Sequence, residues 1–174
     1  MFSAFRKAKG LEAAVMLLRQ TIAPLTVFGR TVPSSIFSDP YVLGYLTTIA
    51  GFAVEVAVKG KLSTDELGEV ATKAFHEIAG INGQTAVQNT IRFSSEREPS
   101  FLLGNKRANQ FIEIMYGGAD LNDPDIAEAF QVAPRLAGSF SFLDKNGENP
   151  TAANAAAAFS FIHFHQYIQD QHPG

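Results

Sequence analysis

The sequence predicts an all-α protein, a single-domain bundle of about six to eight helices spanning residues 1–174. Three observations carry this. Apolar residues recur at helical spacing along most of the chain, Asx-Pro pairs and a Ser/Glu box mark helix starts, and glycines stand where the runs end. The bundle is organised around residues 41–80, a helical hairpin in which a central apolar helix, 41–58, meets a short turn and then an amphipathic run.

Taken in order, the first stripe starts at Leu11 and returns at Ala14, Val15, Leu18, Ile22 and Leu25, with Pro24 bending or ending the helix. Residues 26–38 mix β-branched residues with Gly29 and Pro33, which predicts an irregular connection with a short extended piece at Thr26 to Phe28. A connector of that length is a place to look for partner contacts.

Asp39-Pro40 supplies an N-cap and a proline for the first helical position of the central helix. Tyr41 to Val58 carries one formal charge, Glu55. Leu43, Leu46, Ile49, Ala50 and Val54 share its broad side; Gly44, Thr47, Thr48, Gly51 and Glu55 share a narrow stripe, small enough for a neighbouring backbone to come close. Gly60 is expected to end the helix by adopting positive φ. Ser63 and Glu66 then form a capping box for the second arm. Along that arm Leu67, Val70, Ala71, Ala74, Phe75 and Ile78 make a core-facing stripe, Glu69 and Lys73 pair on the wet side, and Gly80 closes it.

Residues 81–98 turn polar, and the Val87, Ile91, Ser94 spacing supports only an exposed or marginal helix. Pro99 opens a stronger one with Phe101, Ala108, Phe111, Ile112 and Met115 on a common side, ended by Gly117-Gly118. Asp123-Pro124 starts a short helix through Phe130, Pro134 breaks the chain, and Leu136, Phe140 and Leu143 fit one more helix. Residues 139–143 also alternate with period two before Asn146-Gly147, but no second strand is there to pair with, so Asn-Gly reads as a turn between helices. The last helix starts at Asn149-Pro150 and runs to about Gln169, with Ala157, Phe161, Phe164, His165 and Ile168 inward.

Composition narrows the function classes. A chain of 174 residues, 46% hydrophobic, can bury one proper core. Lack of cysteine removes disulfides, thiolate metal sites and cysteine nucleophiles together. Fifteen phenylalanines supply rigid aromatic volume for a dense core or a pocket wall. A net charge of −3 speaks against a nucleic-acid partner, which needs a clustered basic face. The charge is uneven: Arg6, Lys7, Lys9, Arg19 and Arg30 face only Glu12 within residues 1–30. The ordinary reading is an amphipathic first helix whose bases meet acidic neighbours or solvent. The alternative, prompted by Phe2 and Phe5 beside Arg6 and Lys7, is a membrane-surface or targeting segment in residues 1–10. Glu12, Arg19 and Pro24 interrupt any secretory signal, and 41–58 sits at the short limit of a membrane span with Glu55 inside, so a cytoplasmic protein outside the bilayer is expected.

Several motifs imitate chemistry. Residues 55–67 follow an EF-hand loop at Glu55, Gly60, Leu62, Ser63 and Glu66, yet two positions that must supply oxygen ligands are Ala57 and Lys59. The same Gly-Lys-Leu-Ser-Thr-Asp-Glu-Leu turn between an apolar and an amphipathic helix resembles the helical hairpin of tellurite-resistance TerB-like domains over some forty residues. That resemblance implies a compact helical bundle; an acidic residue commonly precedes the glycine in those domains, and Lys59 stands there instead, against the metal-linked role. His163 and His165 lie about 200° apart on a regular helix and cannot chelate one ion, while His165 on the apolar side reads as a core histidine. His76 reads as solvated. Asp120, Asp123, Asp125 and Glu128 suit capping and a helix N-terminus. Asp144 to Glu148 opens like a calcium loop but lacks its glycine and closing glutamate. A phosphate-binding glycine loop and a serine-hydrolase elbow are both missing, and no cofactor or metal is expected.

The leading expectation is a non-catalytic domain acting through protein–protein contacts, as an adaptor, a neutralising partner or a homo-oligomer. The alternative is a carrier or sensor that binds an apolar small molecule or lipid in a Phe-lined cavity beside the small-residue face of residues 44–55. A third is a metal-dependent enzyme using Glu55 and the acidic segment. Glu55, Thr48, Tyr45 and His165 are the candidate ligand or partner contacts.

Overall fold

Both Asx-Pro helix starts within the described residues form the caps that the sequence predicts. Asp39 Oδ1 accepts from the Val42 amide at 3.0 Å, and Asp123 Oδ1 accepts from the Asp125 amide at 3.0 Å. The structure, a computed structural model, describes residues 2–29, 32–59, 62–137 and 152–172. It is all-α and, among the described residues, holds no strand. Its helices are α1 (Phe2–Ile22), α2 (Pro40–Val58), α3 (Thr64–Ala79), α4 (Gly83–Glu96), α5 (Pro99–Tyr116), α6 (Pro124–Ala137), α7 (Ala152–Ser160) and α8 (Gln166–Gln171). Packing divides the chain into two compact units, residues 1–108 and 109–173, with the boundary inside α5.

The first unit is built on α2. Val42, Leu43, Tyr45, Leu46 and Ile49 are fully buried, as expected for a helix with a single charge. α1 packs along both arms of the hairpin, whereas α2 and α3 touch each other sparsely. Gly10 allows the approach of α1, since a Cβ there would stand 3.1 Å from Val54 Cγ1. Lys7 Nζ meets Glu69 Oε2 at 2.7 Å and Arg19 meets Glu77 at 3.6 Å, so bases of α1 do face acidic neighbours on α3. The stop after α2 differs from expectation. Lys59 itself takes the left-handed conformation (φ 57°, ψ 46°), and Gly60 lies outside the described residues. The capping box is present: Ser63 Oγ accepts from the Glu66 amide, and the Glu66 carboxylate accepts from the Ser63 amide at 3.0 Å.

One local expectation is corrected here. Thr26 to Phe28 is not extended but belongs to a 3-10 segment, Ala23–Gly29, tightened by Thr26 Oγ1 donating to the Ala23 carbonyl at 2.7 Å. The rest of that connector contributes to the core, burying Ile36 and Phe37 in a second 3-10 turn. Residues 83–96 form a helix, exposed along most of its length as expected: its buried positions are Gly83, Ala86 and Phe93, while Ile91 is 65% exposed. The Val87, Ile91 pair is therefore apolar on the side turned away from the core.

The second unit centres on α6 and α7. Ile126, Ala129 and Ala133 pack with Ala155, Ala156 and Phe159 around Ile114, which takes the inward place expected of Met115. Pro134 does not break the chain: α6 runs through it to Ala137. Its ring is exposed, and the Ile126, Ala129, Ala133 stripe docks on α7, so packing outweighs the lost backbone bond. Gly138 to Thr151 lie outside the described residues, and with them the 139–143 segment, Asn146-Gly147 and Asn149-Pro150.

The C-terminal run also departs from expectation. Phe161–His165 is a π turn joining α7 to α8. Phe164, His165 and Ile168 are buried as expected, but Phe161 is 44% exposed and Ala157 is exposed, while Ala155 and Phe159 turn inward. A π turn fits one extra residue, so the inward positions step from Phe159 to Phe164 across five residues and the α-helical spacing fails upstream of it.

Candidate functional site

The narrow stripe of α2 divides between two environments. Gly44 is pressed against α5: a Cβ on it would overlap the Phe101 carbonyl, and one on Gly104 would overlap the Tyr41 carbonyl. Thr48 Oγ1 finishes that contact with hydrogen bonds to the Gly44 carbonyl and to Asn105 Oδ1, both 3.1 Å. Thr47, Gly51 and Glu55 instead face an open cleft of about 920 Å³ walled by α2, α3 and α4. A Cβ on Gly51 would meet nothing within 4 Å.

The cleft follows from how the hairpin packs. α1 lies along both arms and the arms touch each other little, and a cleft stands between the two arms and α4. Ala50, Val54 and Val58 of α2 form one wall, Leu67, Ala71 and Phe75 of α3 the second, and Val87 and Ile91 of α4 the third. Leu67 and Ala71 belong to the stripe read as core-facing, and Val87 with Ile91 to the stripe read as marginal. Both readings placed apolar residues correctly on one side of a helix, and that side lines a cleft.

Few polar groups interrupt these walls. Thr47 Oγ1 and Thr90 Oγ1 are buried and have no hydrogen-bond partner among the described residues, a state that native structures seldom leave unexplained. Thr64 and Asp65 of α3 stand with Glu55 at the end of the cleft nearest the hairpin turn. The expected Glu55–Lys59 pair is not among the ion pairs of the described residues, because Lys59 leaves the helix in a left-handed conformation and the i, i+4 geometry is lost.

Of the four candidate contacts, Glu55 alone lines the cleft. Thr48 joins α2 to α5, and Tyr45 is fully buried in the core of the first unit. His165 belongs to the second unit, where it is 8% exposed with its ring 5.5 Å from that of Phe164. His163, expected to face outward, is half-buried with its ring 4.4 Å from that of Phe159, a consequence of the π turn. The acidic group of the second unit is largely structural: Asp123 caps α6 and also accepts from buried Gln110 at 2.8 Å, and Asp120 holds Asn122. Sequence reasoning missed Thr90 and Leu67 as cleft residues. The usable signal was apolar side chains on the outward side of α4, which a merely solvated helix does not require.

Electrostatics separate the outer face of α3 from the cleft. The Lys7 ammonium, hydrogen-bonded to Glu69 and reinforced by Lys73, holds the Glu69 carboxyl down at about 2. Glu66 is lowered as well, first by its hydrogen bond from Ser3 and then by the Ser63 amide. These groups fasten α1 to α3 and leave the cleft walls untouched. No family model, curated protein or solved structure matches this chain.

Proposed function

We propose that the chain is a binding domain for an apolar small molecule or lipid, taken up in the cleft between α2, α3 and α4. One observation supports this reading above the others: a largely apolar cleft of about 920 Å³ between three helices, with Leu67 and Ile91 exposed on its walls. Small-molecule sites run to roughly 300–1,000 Å³, mostly apolar with a few polar groups that fix orientation.

Native mass spectrometry of the chain purified without detergent tests the reading. An apolar molecule is expected to co-purify or to be taken up from a panel of fatty acids, alcohols and amines. Gly51→Trp is expected to abolish uptake at an unchanged melting temperature, since position 51 has open space in front of it. A chain that takes up none of the panel, or a Gly51→Trp variant that binds like wild type, overturns it.

Protein–protein contact is the second reading. It draws on Met115, Tyr116 and Leu121, exposed at the end of α5 and in the turn that follows. Self-association that rises with concentration in light scattering, and falls on Tyr116→Asp, is the expected sign of its homo-oligomeric form; a monomer at every concentration removes that form.

A further inference from the structure

Resting on the cleft reading above, we infer that the ligand is a rigid, plate-like apolar molecule, a fused-ring compound with no charge on its rings, and that Gly51 and Gly68 are the positions that select it. Glycine is the poorest helix former after proline, so a glycine inside a helix calls for a reason. Gly10, Gly44, Gly83 and Gly104 have theirs in the packing of the chain itself. A Cβ on Gly44 or Gly104 would overlap backbone, one on Gly83 would stand 2.5 Å from His76 Cα, and one on Gly10 would press on Val54. Gly51 and Gly68 have no such neighbour: a Cβ on either would meet nothing within 4 Å. Both line the cleft, Gly51 from α2 and Gly68 from α3, one on each arm of the hairpin. A glycine at a cavity wall lets a ligand come close to the backbone.

The walls select among apolar molecules by shape. Ala50 is followed by Gly51 on α2, and Gly68 and Ala71 stand one turn apart on α3, so each arm gives the cleft a stretch from which nothing longer than a methyl projects. A single alkyl chain is a thread one methylene wide, and on a flat stretch it leaves gaps to either side across which dispersion falls steeply. A fused-ring plate lays one broad face on such a stretch and fills it. The volume of about 920 Å³ lies near the upper end of the range for small-molecule sites, which suits a plate better than a thread. Hydrogen bonding offers little at these positions. The Thr72 hydroxyl is spent on the Gly68 carbonyl at 2.8 Å, and the Thr47 and Thr90 oxygens are buried and not offered to the cleft. A charge taken out of water there would go unanswered, so the part of the ligand against the two glycines is uncharged.

Titration calorimetry with progesterone, a neutral four-ring plate, and decanol, a neutral thread, tests this on wild type, Gly51→Ala and Gly68→Ala. Wild type is expected to bind progesterone about ten-fold more tightly than decanol, since a rigid molecule has less freedom to lose. Each alanine variant is expected to melt about 2 °C higher, because helix propensity rises and nothing in the chain is displaced. It is nevertheless expected to bind progesterone about ten-fold more weakly, with its affinity for decanol unchanged. A glycine with no part in binding would give the rise in melting temperature without the loss of affinity. Alanine variants that bind progesterone like wild type, or that melt lower, overturn the role of the two glycines. Wild type that binds decanol as tightly as progesterone overturns the plate and leaves the cleft reading standing. Binding of neither probe overturns both.

Discussion

Gly44 and Gly51 lie two turns apart on the same stripe of α2, and they do opposite things. Gly44 is the point where α2 and α5 come into backbone contact, answered by Gly104 from the other side, so that any side chain at either position would force the helices apart. Gly51 looks into open space beside the cleft. A small residue in an apolar helix therefore has two meanings, and helical spacing alone does not separate them. What separates them is whether the helix that could close over the stripe is placed there by the rest of the fold.

The largest effect is expected at the closed end. Gly44→Ala should destabilise the protein by about 2–3 kcal/mol, since the added methyl overlaps a carbonyl rather than a flexible side-chain tip. Gly104→Ala should cost about as much, and the double variant should cost less than the sum, because one contact is lost once. Thermal unfolding of the three variants checks this; a sum that is fully additive would mean the two glycines do not share a contact. At the open end Gly51→Ala should do the reverse and raise stability by about 0.5–1 kcal/mol, the gain from replacing glycine inside a helix where nothing is displaced. If Gly51→Ala also lowers the melting temperature, the contrast between the two ends collapses.

The smallest effect belongs to the outer face of α3, away from both glycines. Glu69 is held at about 2 against an ordinary value of 4.5, so its contribution to docking α1 is present above about 4.5 and is lost as pH falls towards 2. Wild type should therefore lose more melting temperature than Glu69→Gln across that window, and the two should run parallel from pH 5 to 8. Glu69 is exposed, so the difference is expected to be small and to shrink further in high salt.

Legibility followed locality. The starts at Asp39 and Asp123 and the Ser63–Glu66 box could be read from the sequence because a cap is made by residues within three positions of each other. The Glu69–Lys73 pair could be read for the same reason. The Pro134 break and the Ala157, Phe161 register were misread because both depend on partners distant in sequence. A stripe docked on α7 keeps α6 helical through a proline, and a π turn that shifts the register leaves no mark in composition.

By itself the sequence determined that this chain is helical, where α2, α3, α5 and α6 begin, and which side of α2 and α3 is apolar, because capping and amphipathic spacing are properties of one helix and its own neighbours. Tertiary structure alone decided that α1 lies along both arms of the hairpin, that Gly44 is covered and Gly51 is not, and that the apolar sides of α3 and α4 enclose a cleft as well as a core. The physical reason is that burial of an apolar side lowers the free energy whichever surface covers it, so the pattern specifies that a side must be covered and leaves open what covers it.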